Sequence, residues 1–181
     1  FVEKVYLIDM GYSDEEIYQS KNEKIIKQRS LPNAIENSFI ILMDVLEHLE
    51  SDQAILEEIK SKCRGINYFF ITVPAFMSLW SGHDIYLEHY RRYDLKMLKN
   101  ILSSVSFLED KAYYIFGLLF PFVWVIRKFK NQTQKEANSD MSNTHHIVNF
   151  LLKKIIGLEM KVIKKNKLFG VTVVAEGKII S

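Results

Sequence analysis

Short apolar runs alternate with polar segments along the chain. The three clearest runs each stop at an acid or a proline: Val5–Ile8 before Asp9, Phe39–Met43 before Asp44, and Tyr68–Val73 before Pro74. An apolar run without alternation is typical of a parallel strand that is covered on both faces. The pattern therefore predicts three buried strands, with a weaker fourth strand within residues 24–30.

Helical patterns follow these runs. Each begins behind a residue that can cap it: Ser13 before three acids, Ser51 before the segment DQAILEEIKSK, and Asp94 before residues 95–104. Side chains of this kind accept hydrogen bonds from the first free amides of a helix, so we expect three N-caps. Strands that alternate with helices predict an α/β fold built from βαβ units, with right-handed crossovers and a parallel sheet.

Two further strands are expected near the end, at 107–115 and 170–175, and a long insertion over residues 116–168 separates them. The insertion opens with eleven uncharged residues from Phe116 to Ile126, interrupted by Pro121. That run is too short to cross a bilayer, which needs about 20 residues.

The rest of the insertion is polar and then amphipathic. Residues 131–144 lack a hydrophobic period and predict a loop, whereas 145–165 combine an apolar face with lysines. We expect helices over 116–130 and 145–165, with Phe116, Phe120, Phe122 and Trp124 on one apolar face. Two interpretations remain open. The helices cap the core, or they form a lid that contacts a membrane surface or an apolar or anionic substrate.

Composition favours one globular domain over residues 1–181, since 48% of the residues are hydrophobic and 25% are charged. The single cysteine, Cys63, cannot form a disulfide within the chain, supports no cysteine-rich zinc site and fits a reducing compartment. No signal-peptide pattern is visible, so we expect a cytoplasmic protein, with membrane association possible through the insertion. The chain starts at Phe1 and runs straight into an apolar stretch, so we also expect that its beginning is missing.

Charge is divided unevenly. Residues 1–60 hold 13 acids and 6 bases, whereas residues 61–181 hold 18 bases and 9 acids. Two surfaces with different partners would explain this, and so would lysines on solvated helix faces. Nucleic acid is not an expected partner, because the isoelectric point is only about 8.5 and the basic residues interleave with apolar ones.

Two longer motifs carry a family resemblance: DVLEHLESD at 44–52 and ITVPAFMSLWSGHDIYLEHYRRYD at 71–94. In order and spacing they closely resemble segments of the Rossmann-like (class I) S-adenosylmethionine-dependent methyltransferases, in particular a bacterial branch with DVLEH and HD…RRY motifs. The resemblance implies a Rossmann-like sheet that lacks its first strand and glycine-rich loop, with a helical insertion before the last strand. It also implies that the chain is truncated at its N-terminus.

The resemblance implies a binding site for S-adenosylmethionine at the carboxyl ends of the strands, where open parallel sheets bind ligands. Asp9 takes the place of the acid that binds the cofactor ribose in this family. A carboxylate suits that role because its two oxygens can accept hydrogen bonds from the two neighbouring hydroxyls of the ribose. Other positions fall beside the adenine or the methionine part of the cofactor: Met10, Ser30, Leu31, Met43, Asp44 and Val45. Turn chemistry alone would also explain an aspartate at Asp9.

Methyl transfer needs alignment of the reacting atoms and, for a hydroxyl or amine acceptor, a base. Histidine suits that role near neutral pH, and the candidates for the base are His48 and His83. Candidates for substrate contact are Glu47, Trp80, Asp84, His89, Arg91 and Arg92. Structural roles compete with these: an arginine paired with Glu88 or Asp94, or Trp80 in the core. No metal site is expected, and the pair His145–His146 is interpreted as part of a loop.

Three functions from different classes follow. The first is methyl transfer from S-adenosylmethionine to a small-molecule or lipid- or sugar-linked acceptor. The second is a non-catalytic binding module of the same fold that cannot hold the cofactor. The third is a nicotinamide dehydrogenase, since an acid after the second strand also suits that ribose; the DVLEH and HD…RRY segments argue against it.

Overall fold

The computed structural model describes residues 2–21, 23–129, 152–154, 156–157, 159 and 163–181. The chain divides into two compact units, residues 1–35 and residues 36–181, which we call the N-terminal and the C-terminal unit. Each is described by itself below. The single domain expected from the composition stays a prediction.

The N-terminal unit is a βαβ element. Strand β1 (Val5–Ile8) pairs in parallel with β2 (Ile25–Gln28), and helix α1 (Asp14–Ser20) connects them. Ser13 and Glu16 form the capping box that begins α1, as the sequence predicts. All four residues of β1 are exposed by more than a third, so the predicted cover on both faces is not found among the described residues.

The remaining elements begin with β3 (Ile35–Glu36), which lies at the boundary between the units. Five more strands and two long helices follow, and all of them except β5 lie close to predicted positions: β4 (Phe39–Met43), α2 (Asp52–Lys62), β5 (Cys63–Arg64), β6 (Ile66–Pro74), α4 (Leu95–Ser104), β7 (Phe107–Ile115) and β8 (Thr172–Ile180). Helices α3 (Gly82–Tyr86) and α5 (Phe120–Phe129) complete the unit, with 3₁₀ turns at Leu46–His48, Met77–Leu79 and Ile163–Lys165. Ser51 and Asp94 cap α2 and α4 as expected.

The main sheet of the C-terminal unit is mixed, with the strand order β4-β6-β8-β7. Strands β4 and β6 are parallel, but β8 runs antiparallel to both of its neighbours. The prediction of a wholly parallel sheet is therefore wrong. The last strand, β8, inserts between β6 and β7. It passes the bulge of β7 at Glu109 through Gly177, because a β-carbon at position 177 would lie only 2.1 Å from the carbonyl oxygen of Leu108.

Strand β4 also departs from expectation. Among the described residues its only strand neighbour is β6, and its side chains alternate between partly buried and exposed. Phe39, Ile41 and Met43 are each more than half exposed. The unbroken apolar run concealed this alternation, because residues on both faces are apolar.

The core lies where α2 and α4 pack against the sheet. Fully buried side chains come from each element: Leu56 and Ile59, Ile71 and Val73, Leu98 and Leu102, and Ile179. Phe69 and Phe107 pack across the sheet with ring centroids 5.2 Å apart. Burial of such side chains is worth about 1.5–3 kcal/mol each, so this core fixes the strand ends that carry the candidate site.

The described part of the insertion is partly packed. Phe120 contacts the rings of Phe76 and Phe169 at centroid distances of 5.5 and 5.6 Å. Phe122 is 65% exposed and Trp124 is 36% exposed, so the four expected aromatics do not share one buried face. Helix α5 begins at Phe120, four residues later than predicted, behind a turn in which Gly117 donates its amide to Glu159 at 2.7 Å.

The second helix expected in the insertion is described only in part. Residues 152–154, 156–157 and 159 are helical, and a 3₁₀ turn follows at Ile163–Lys165. The expected loop at 131–144 and the start of the 145–165 helix lie outside the described residues. Within the described part of the chain, no helix has the length and apolar character needed to cross a membrane.

Candidate active site at the ends of β4 and β6

The parallel pair β4 and β6 ends at one edge of the sheet, and a cavity of about 210 Å³ opens there. We call it the site pocket. It collects polar and apolar side chains from five segments: Asp44, Glu47, His48, Pro74, His83, Leu87, His89, Arg92, Val171 and Thr172. The carboxyl ends of parallel strands are where open α/β sheets bind ligands, so this position matches the expectation from the sequence.

Asp44 turns the chain out of β4. Its φ of 51° lies in the left-handed region, which aspartate tolerates better than most residues. Its amide donates to the carbonyl oxygen of Thr72 at 3.0 Å, and the Thr72 hydroxyl lies 3.3 Å from Asp44 Oδ1. This turn directs the chain into the 3₁₀ turn Leu46–His48 at the mouth of the site pocket.

Glu47 has no exposed surface, and neither of its carboxylate oxygens has a hydrogen-bond partner among the described residues. Burial raises the pKa of Glu47 to about 7, and the nearby charge of Asp44 adds to the increase. A buried, unpaired carboxylate is costly. The sequence identified Glu47 as a substrate contact but gave no sign that it would be buried.

Asp84 lies beneath the site pocket and is also fully buried. It accepts hydrogen bonds from Arg92 Nε at 2.7 Å and from the Ser81 amide at 2.8 Å, and its Oδ1 lies 3.0 Å from His89 Nδ1. Burial would raise the pKa of Asp84, but the contacts with Arg92 and His89 outweigh it and lower the pKa. Asp84 therefore positions its neighbours and is not among the residues that line the pocket; one of the neighbours that it holds is His89.

His89 and His48 meet edge to face, with ring centroids 4.5 Å apart. Burial lowers the pKa of His89, although the Asp84 carboxylate opposes that change. The Tyr90 amide donates to the Glu47 carbonyl oxygen at 2.7 Å, which ties the loop of His89 to the turn of His48. Residues 41 positions apart in the sequence thus become neighbours.

The two adjacent arginines have different partners, neither of which is Glu88 or Asp94. Arg92 lines the site pocket and binds Asp84 and the Ala75 carbonyl oxygen. Arg91 pairs with Asp52 at 3.0 Å, and Asp52 also accepts a hydrogen bond from the Tyr93 hydroxyl at 2.8 Å. Binding of an anionic acceptor by either arginine stays a prediction.

Six of the residues selected from the sequence line the site pocket together: Asp44, Glu47, His48, His83, His89 and Arg92. Trp80, Met43 and Val45 are not among the lining residues. The sequence analysis missed Leu87, Val171 and Thr172. The last two come from the start of β8, about 100 residues beyond β6, and no local signal connects them with the site.

The other cofactor candidates lie in the N-terminal unit. Asp9 follows β1 directly, and its Oδ1 accepts a hydrogen bond from the Gly11 amide at 2.8 Å. Its own amide donates to the Gln28 carbonyl oxygen, so the ends of β1 and β2 are adjacent within this unit. Met10 is 83% exposed, and Ser30 and Leu31 follow β2. A carboxylate and an apolar side chain are therefore accessible at these strand ends.

Comparisons with known proteins bear on the fold. No family model and no curated protein matches the sequence. Among solved structures, an S-adenosylmethionine-dependent methyltransferase from Mesorhizobium loti matches with a TM-score of 0.55 and 7% identity, over 97% of this chain and 80% of that one. One from Thermotoga maritima matches with a TM-score of 0.53 and 14% identity, over 95% and 72%. The chain therefore has the α/β fold of the Rossmann-like, class I methyltransferases.

Proposed function

We propose that the protein is an S-adenosylmethionine-dependent methyltransferase that acts on a small-molecule or lipid- or sugar-linked acceptor. The observation that carries the proposal is the site pocket. On this fold, it gathers three histidines and a buried glutamate at the carboxyl ends of two parallel strands. A site without nearby proton acceptors would fit methyl transfer to a hydroxyl or amine less well.

Each unit contains residues that fit a part of the cofactor. In the N-terminal unit, the exposed carboxylate of Asp9 suits a ribose diol, and Met10, Ser30 and Leu31 offer contacts for the adenine. In the C-terminal unit, Met43 ends β4, Asp44 and Val45 follow it, and these three residues would hold the methionine part.

When bound, S-adenosylmethionine supplies a methyl group on a sulfonium, which needs no covalent help from the protein. The chain's part is to orient the acceptor, exclude water and hold a proton. His48 and His83 both line the site pocket, and a ring nitrogen of either can accept the proton that a hydroxyl or amine acceptor loses. Arg92 and Asp84 keep the neighbouring loop in place.

The surface around α5 supports a lipid-linked acceptor. Leu118, just before α5, and Phe122, Val125 and Ile126 within it are each more than 45% exposed, and the exposed Lys128 follows them. Apolar side chains beside cations suit an interface with anionic lipid. A peripheral contact with a membrane through this part of 116–130 would bring a lipid-linked acceptor to the enzyme, and residues 145–165 are the second segment proposed for it.

The test uses methyl-labelled S-adenosylmethionine with the full-length protein and, in separate reactions, lipid extracts and polar metabolite fractions. We expect label in one fraction, and a loss of about 10²–10⁴-fold in rate for the double variant H48Q/H83Q. Unchanged circular dichroism would show that the variant folds. Label in neither fraction, together with no binding of S-adenosylmethionine by the folded wild-type protein, would favour the non-catalytic binding module that cannot hold the cofactor.

A further inference from the structure

Three side chains of the site pocket form a cluster with the composition of a metal site. Glu47, His48 and His89 each offer one ligand atom, and these atoms all lie within 4.8 Å of one another. Glu47 is buried, His89 is half-buried and His48 is exposed, so the cluster opens towards solvent on one side. Proximity of these three side chains does not by itself indicate a metal site, but the environment of Glu47 adds independent support.

That observation is the unpartnered carboxylate of Glu47. Both of its oxygens are buried and without a hydrogen-bond donor among the described residues. Buried polar atoms in folded proteins are nearly always satisfied, and an unsatisfied one needs an explanation. Arg92, which lines the same pocket, is already paired with Asp84. A bound cation at the two histidines would satisfy Glu47.

His89 has the support that metal-binding histidines usually have. With Nδ1 donating to the ionised Asp84, Nε2 carries the free lone pair. A carboxylate behind the second ring nitrogen fixes the tautomer and orientation of a ligand histidine. The hydrogen bond from the Tyr90 amide to the Glu47 carbonyl oxygen holds the two ligand segments together.

We propose that Glu47, His48 and His89 bind one divalent transition-metal ion of the Zn²⁺ type. Two imidazoles and one carboxylate are a common ligand set of catalytic zinc and of non-haem iron, with positions left open. Mg²⁺ and Ca²⁺ fit less well because they prefer oxygen ligands. The sequence analysis expected no metal site; the structure brings Glu47 and His48 together with His89, which lies 41 positions after His48.

The distances leave a small adjustment. Ligand atoms around one tetrahedral ion lie about 3.4 Å apart, given bonds of about 2.1 Å. The widest pair of ligand atoms, at most 4.8 Å apart, would therefore close by up to about 1.4 Å. His83 lies outside the ligand set and lines the same pocket.

A metal here would also define the acceptor chemistry. An oxygen atom of the acceptor that binds an open position would lose its proton more easily, and His83 would be left to accept that proton. Methylation of a hydroxyl is then the preferred outcome. This last step rests on the proposed function, whereas the metal site does not depend on it.

The experiment titrates the metal-free, full-length protein with Co²⁺ and records its visible absorption, and then displaces Co²⁺ with Zn²⁺. The variants are E47Q, H48Q and H83Q. Glu47→Gln keeps the size of a buried side chain, His48→Gln changes an exposed one, and His83→Gln is the matched control from the same pocket.

We expect one Co²⁺ per chain, displaced by Zn²⁺, with an affinity at least about tenfold lower in E47Q and in H48Q than in wild type and in H83Q. No Co²⁺ binding by folded wild-type protein would overturn the proposal. So would equal affinity of the wild type and H48Q, or an equal loss in H83Q. Failure to bind S-adenosylmethionine would leave these results unaffected, so the two proposals can fail separately.

Discussion

His89 Nδ1 lies 3.0 Å from Oδ1 of Asp84, a carboxylate with no exposed surface. Arg92 Nε binds the same oxygen at 2.7 Å, so one buried aspartate fixes a histidine and an arginine of the site pocket. The shape of the pocket therefore depends on charges that lie beneath it.

Asp84→Asn should destabilise the fold by about 3–5 kcal/mol, because it leaves the Arg92 guanidinium buried without a counter-charge. Urea denaturation measures the free energy of unfolding. The control is Glu109→Gln, which breaks the more exposed pair of Lys99 and Glu109 and should cost less than about 1 kcal/mol. Similar losses in both variants would contradict the structural role of Asp84.

Glu16 of the N-terminal unit should titrate with a pKa of about 2. The Lys27 ammonium at 2.8 Å and hydrogen bonds from Ser13 lower that pKa from 4.5. Because the folded state has the lower pKa, this group contributes stability above pH 4.5 and loses it as the pH falls towards 2. Carbon NMR of the Glu16 carboxyl should show this pKa rising in Lys27→Met and unchanged in Lys21→Met. A pKa near 4.5 in the wild type would contradict the pair.

Cys63 should resist alkylation in the folded protein. It is fully buried, and burial raises the pKa of its thiol, so little thiolate is present or accessible. Iodoacetamide at pH 8 should modify the chain slowly until about 6 M urea is added, as measured by intact mass. Since Cys63 is the only cysteine, any rapid modification of the native protein would show that β5 opens readily.

Anionic vesicles should bind the protein through α5, and about 0.5 M salt should weaken binding. Phe122→Asp should reduce sedimentation with vesicles at least about tenfold, because it places a charge on a side chain that is 65% exposed. Leu108→Asp, at an exposed apolar position on β7, is the control. Binding that is equal in both variants, or none at low salt, would leave α5 as a structural element only.

Local signals were sufficient for most elements of the fold. The N-caps at Ser13, Ser51 and Asp94 and the strand runs depend on neighbours in sequence, and the structure confirms them. The direction of β8 could not be predicted, because it depends on pairing with β6 across about 100 residues. The sequence also did not reveal that one face of β4 is exposed, because an apolar run has the same pattern whether one face or both faces of the strand are covered.

The sequence selected six of the ten residues that line the site pocket, but it did not indicate how they are arranged. The motif segments contained His48, His83 and His89, but the partner of Asp84 depends on a turn that brings His89 back over α3. The Glu47 carboxylate lacks hydrogen-bond partners among the described residues because of how the side chains around it pack, and no residue pattern in the sequence indicates this.

Binding of S-adenosylmethionine, measured by isothermal titration calorimetry on the full-length protein, tests the central claim most directly. The account predicts one cofactor per chain, with a dissociation constant about 10–100-fold higher in Asp9→Ala, because charge-assisted hydrogen bonds of about 1.5–3 kcal/mol each are lost and water replaces them in part. Asp14→Ala, at an exposed acid of the same unit that pairs with Arg29, should bind as wild type does. No binding by the folded wild-type protein, or the same dissociation constant in Asp9→Ala, would contradict the account.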